Sequence, residues 1–104
     1  MPVEVSDAHR LARAFLVGLC TVNKVRRVPR LYTSRWPKSF GNDMGMYVFD
    51  NSAIYINLRV HDTIDEVYDT LLHEYCHYVT RTESKDHGPR WKAAAKKCGI
   101  SATQ

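Results

Sequence analysis

The chain has 104 residues, 44% hydrophobic and 25% charged, with a net charge of +4, from which one small globular domain is expected rather than a large multidomain machine. No run approaches the roughly 20 apolar residues of a membrane span, and the opening residues lack the basic-then-apolar order of a secretion signal. The three cysteines, Cys20, Cys76 and Cys98, are odd in number and contain no C-x-x-C pair. This points to reduced thiols in the cytoplasm, or in the nucleoid or nucleus if the protein works on DNA, rather than to a secreted or membrane protein.

In chain order, the first predicted element is a helix capped by Ser6 or Asp7 and running to about Cys20, with Ala8, Leu11, Ala12, Phe15, Leu16 and Leu19 at helical spacing. Val25 to Ser34 reads as a strand, placed at an edge or bulge by Pro29. Trp36 to Gly45 is a loop rich in turn residues, followed by two strands, Met46–Phe49 and Ala53–Leu58, around Asp50-Asn51-Ser52. Their expected apolar faces are Tyr47/Phe49 and Ile54/Ile56/Leu58.

The strongest element is a helix over about residues 63–80. Thr63 and Glu66 form a capping box, Asp62 and Asp65 suit its positive end, and Ile64, Val67, Leu71 and Val79 define a buried side. A polar loop over residues 82–86 leads to a third helix with Pro89 in its first turn. Trp91, Ala94, Ala95 and Cys98 turn inward, and Gly99 ends it. The order predicts an α+β fold, with helices against a small antiparallel or mixed sheet.

Inside the strongest helix lies His73-Glu74-Tyr75-Cys76-His77, the pattern H-E-x-x-H. At about 100° per residue, side chains four apart lie about 40° from each other, so both imidazoles can reach one ion. Glu74 lies about 60° from His77, near enough to take a proton from a water activated by that ion without being a ligand. A catalytic zinc keeps three protein ligands and one open position. Glu83, Asp86 and His87 are the nearby candidates for the third ligand, and His87, beside the conformationally permissive Gly88, is chosen. Cys76 points away from the ion and reads as a core thiol. His9 and His61 read as surface residues, and Tyr47, Tyr55, Tyr75 and Tyr78 mostly as core. One of these tyrosines, or Arg81 or Arg90, is a candidate to stabilise an oxyanion.

Thr70-Leu71-Leu72-His73-Glu74-Tyr75-Cys76-His77, a polar loop, then His87-Gly88-Pro89-Arg90-Trp91 resembles the SprT-like zinc metalloproteases of the Spartan type over roughly residues 45 to 100. The resemblance implies a small zincin-like domain with one Zn2+ on His73, His77 and His87 and Glu74 as the base. Members of that type cleave proteins crosslinked to DNA. The chain departs from the family in a short loop of nine residues between His77 and His87. It is expected to form a single domain over residues 1–104 without the Cys-rich zinc ribbon that often follows.

Charge is unevenly distributed. Residues 1–40 carry eight Lys/Arg against two acidic residues, a balance of +6, whereas residues 41–83 carry two against eight, a balance of −6. Lys24, Arg26, Arg27, Arg30, Arg35 and Lys38 are interleaved with Tyr32 and Trp36, a pattern suited to phosphates and exposed bases, so single-stranded DNA is the favoured nucleic-acid partner. The expected function is a metallopeptidase cleaving protein substrates, with or without DNA. The alternatives are a non-catalytic zinc-stabilised DNA-binding or adaptor module, and a zinc hydrolase of non-peptide bonds.

Overall fold

A computed structural model describes residues 5–83 and 85–98. Three α-helices, α1 (Val5–Val22), α2 (Ile64–Thr80) and α3 (Pro89–Cys98), accompany three strands, β1 (Arg30–Tyr32), β2 (Gly45–Val48) and β3 (Ala53–Ile56), in one mixed sheet of order β1-β3-β2. β1 runs parallel to β3 and β2 antiparallel, with Leu31 and Tyr47 both opposite Ile54. This is the expected α+β domain. Among the described residues no helix is long and apolar enough to cross a membrane.

The core forms where the helices meet the sheet. Ala8, Ala12, Leu16 and Cys20 recur every fourth residue along α1 and are all buried, and they pack with Ile54, Ile56, Val67, Leu71, Tyr75 and Trp91. Alternation along β3 turns Ile54 and Ile56 inward. It leaves Tyr55 half-buried on the other face, stacked on Tyr32 with ring centres 4.9 Å apart. α2 starts as predicted: the Thr63 side chain accepts from the Glu66 N–H, and Glu66 accepts in return from the Thr63 N–H at 3.0 Å.

Several expectations are corrected. Ser6 and Asp7 lie inside α1 rather than at its cap. The strand expected over residues 25–34 shrinks to three residues, although it does occupy a sheet edge, just after Pro29. Leu58 falls in a 3-10 turn, not in β3. Phe49 is 50% exposed because β2 ends at Val48 and the alternation ends with it. Val79 is also exposed: eight residues past Leu71 it has rotated about 80° off the buried stripe. His61 is buried, not superficial. Its Nδ1 donates to the Asn57 carbonyl at 2.7 Å, and its Nε2 lies 2.7 Å from Thr70 Oγ1. His9 is half-buried against Thr33 Oγ1 at 2.8 Å. The stop signal expected at Gly99 lies outside the described residues.

Two substitutions separate these environments. Leu71→Ala should lower the free energy of unfolding by about 3 kcal/mol through lost contacts and a cavity, whereas Phe49→Ser should change it by no more than about 0.5 kcal/mol. Urea titrations of both variants against the parent measure the contrast.

Candidate active site

α2 places His73, Glu74 and His77 on one broad side, and α3 brings Trp91 against it. The indole of Trp91 is fully buried and donates through Nε1 to the His73 carbonyl at 3.3 Å. Its ring centre lies 5.1 Å from that of His73, 5.5 Å from that of His77 and 4.5 Å from that of His87. One aromatic side chain is thus the common surface for all three imidazoles. His87 approaches His77 to 5.0 Å and His73 to 6.4 Å between ring centres.

The remaining third-ligand candidates behave differently. Glu83 and Asp86 are exposed, and Asp86 Oδ1 accepts from the Gly88 N–H at 2.9 Å, closing the turn that carries His87. Gly88 makes this turn without a positive φ, which among the described glycines only Gly41 has.

His73, Glu74 and His87 line a cleft of ≈ 780 Å³ together with Met44, Gly45 and Met46 of the β2 segment and Asp69 and Thr70 of α2. The Glu74 carboxylate is buried at its inner wall. Gly45 makes this possible: a Cβ there would lie 2.6 Å from Thr70 Cγ2 and 3.2 Å from Glu74 Cγ. Only a bare backbone lets β2 approach α2 so closely. The Thr70 hydroxyl is held from behind by buried His61.

His77 is nearly inaccessible, and its Nδ1 lies 3.0 Å from Thr82 Oγ1. The chain reverses here through Arg81, whose backbone is left-handed at φ 56°. The Arg81 N–H donates to the Tyr78 carbonyl at 3.3 Å and the Thr82 N–H to the His77 carbonyl at 3.0 Å, a Schellman closure of α2. A non-glycine residue in this conformation costs roughly 1–2 kcal/mol, so the closure must offset that cost to bring Thr82 back under His77.

The donor set suits a tetrahedral ion. Three imidazoles bound at about 2.0–2.1 Å hold their ring centres roughly 5 Å apart. His77 and His87 meet that spacing, while His73 and His87 are wider. Among the described residues no three His, Cys, Asp or Glu side chains already converge as a metal-binding group, so closing such a site requires His73 or His87 to rotate inward.

The chain belongs to the SprT-like family. The match covers residues 18–104, and the family is zinc metalloprotease-like. The germ cell nuclear acidic-1 protein of Caenorhabditis elegans is 38% identical over 52 residues, which are 46% of this chain and 10% of that protein. The chain therefore corresponds to a small part of that relative. No solved structure matches.

The buried thiol and phenols of this SprT-like domain do not line the cleft. Cys76 is fully buried, and burial pushes its thiol up to about 12, consistent with a core thiol facing away from the histidines. Tyr47, Tyr75 and Tyr78 are buried, and burial raises all three phenols. Lys24, Arg26, Arg27, Arg30, Arg35 and Lys38 are all exposed. Arg30 stands on β1, the sheet edge opposite β2, and a second cavity of ≈ 660 Å³ is lined by Trp36, Lys38 and Arg59 among others. Sequence reasoning missed Gly45, Thr80, Thr82 and the His61–Thr70 pair, since each acts through a partner distant in sequence or beyond a helix end.

Burial, reinforced by His87 and His73, pushes the His77 imidazole from 6.5 down to about 4. In the metal-free protein the folded state thus holds a neutral ring where the unfolded chain binds a proton. Stability should fall as pH drops through 6.5 and keep falling to about 4. Thermal midpoints across this range in the presence of chelator should show that slope, and His77→Gln should flatten it.

Proposed function

We propose that this domain is a zinc-dependent metallopeptidase that hydrolyses peptide bonds in protein substrates, with His73, His77 and His87 holding one zinc ion and Glu74 as general base. The observation that carries this reading is the gathering of three imidazoles on Trp91 at a cleft that also contains the buried Glu74 carboxylate. A structural zinc needs four protein ligands and no such carboxylate.

When bound, zinc supplies Lewis acidity, acidifying water and polarising the scissile carbonyl. His77, kept neutral by burial, offers a lone pair without first losing a proton. The Glu74 carboxylate takes a proton from the attacking water and returns it to the departing amide nitrogen. β2 is an edge strand whose Gly45 and Met46 line the cleft. An extended peptide can add to such an edge through main-chain hydrogen bonds, which orients its backbone beside Glu74.

The proposal extends to single-stranded DNA as a second partner, held by Lys24, Arg26, Arg27, Arg30, Arg35 and Lys38. Supporting this are their exposure and the cavity lined by Trp36, Lys38 and Arg59 among others. Such a role places the protein in a reducing compartment, cytoplasmic or DNA-associated, in keeping with three free cysteines.

Glu74→Gln should lower peptidase activity by about 10²–10⁴-fold while zinc content stays at one per chain, and His87→Ala should lose the zinc. Full activity in the Glu74 variant would require another base, whereas a parent that holds zinc but cleaves nothing would leave the non-catalytic adaptor reading. For DNA, fluorescence anisotropy with a labelled single strand should show binding that weakens steeply with salt. Replacing Arg26, Arg27 and Arg30 with alanine should reduce the slope of log affinity against log salt by about 2, and an unchanged slope would remove DNA from the proposal.

A further inference from the structure

The position of Thr82 beneath His77 has a chemical consequence that follows from counting protons. Thr80 Oγ1 lies 2.6 Å from the Cys76 carbonyl and 3.5 Å from the His77 carbonyl. A carbonyl only accepts, so the single hydroxyl proton of Thr80 is committed there. Thr80 Oγ1 also lies 2.8 Å from Thr82 Oγ1, and having no second proton to give, it accepts from Thr82. The hydroxyl proton of Thr82 is thereby committed as well. What Thr82 presents to His77 Nδ1, 3.0 Å away, is a lone pair, and that nitrogen must carry the hydrogen. In a neutral imidazole the other nitrogen, Nε2, is then bare.

We propose that Thr80 and Thr82 are positioning residues: a relay of two hydroxyls, anchored on the Cys76 carbonyl, that locks His77 as the Nδ1–H tautomer and leaves its Nε2 lone pair open to a metal ion. The inference rests on the reading of His77 as a zinc ligand. The relay explains why α2 closes through left-handed Arg81, because that reversal sets the Thr82 backbone against the His77 carbonyl and its hydroxyl against the His77 ring. The Thr82 side chain is buried with the His77 ring it holds.

The test combines a spectroscopic readout on metal-free protein with a zinc affinity. Long-range nitrogen–proton NMR correlation should show His77 as the Nδ1–H tautomer in the parent. Thr82→Val keeps the shape and removes the hydroxyl. It should abolish the tautomer preference and weaken zinc binding, measured against a chromophoric chelator, by about 10–100-fold, and Thr82→Ser should restore both. Thr80→Val provides a second route: it frees the Thr82 proton to point at Nδ1, so the ring should shift toward the Nε2–H form and zinc should again bind more weakly. A parent ring in the Nε2–H form overturns the relay. So does Thr82→Val with an unchanged tautomer and unchanged zinc affinity. A parent that binds no zinc at all overturns the metal reading and the relay's role with it, and is told apart because both failures of the relay are seen in the ring tautomer or in a parent that does bind zinc.

Discussion

The packing of Trp91 against the side of α2 that carries His73 and His77 is the contact on which the rest of the site depends. An indole is large and flat, and when fully buried it needs a partner for its one N–H. Here that partner is the His73 carbonyl, so the same side chain that closes the core between α2 and α3 also fixes how the two helices are placed. His87 precedes α3 by two residues and arrives at the other histidines because Trp91 has docked. The polar loop before it needs only to span the gap, which the Asp86 turn does with one side-chain acceptor.

On the other wall the constraint is absence of volume. Gly45 lets β2 lie against Thr70 and Glu74 at a distance no side chain would permit. A buried polar pair stands behind that contact: His61 donates to the Asn57 carbonyl and faces the Thr70 hydroxyl. A buried histidine with both nitrogens engaged is a rigid spacer, because breaking either bond leaves an unsatisfied polar group. The glutamate of the cleft is therefore bounded by a strand in front and braced through Thr70 from below. This is the preorganisation that the role proposed for Glu74 would need.

Electrostatics divide the molecule in the same sense. The acidic middle of the chain folds into the cleft walls, where Asp43, Glu66, Asp69 and Glu74 face the opening with Lys85. The basic first part supplies α1, its following loop and β1, at the sheet edge away from β2. A protein with net charge +4 thus has a cleft lined mainly by acidic side chains and a basic stretch toward the opposite sheet edge, on separate surfaces.

The local signals in this sequence were sufficient for what is encoded locally. The capping box at Thr63 and Glu66, the four-residue recurrence along α1, the alternation in β3 and the spacing of His73, Glu74 and His77 each depend on the geometry of one element, and each is found where periodicity put it. The edge position of the strand after Pro29 was legible for the same reason, since a missing N–H is a property of that residue alone. Tertiary structure decided what depends on contact between elements. His61 lies in a polar stretch and became a buried brace only because Thr70, nine residues on, faces it. Phe49 and Val79 carry core-type side chains yet remain exposed because a strand ended one residue early and a helix turned past its partner. Gly45 and Thr82 carry no sequence pattern at all. Their importance lies in one distance each, from a backbone to Thr70 and from a hydroxyl to His77, and such distances exist only once α2 has been packed against β2 and closed at Arg81.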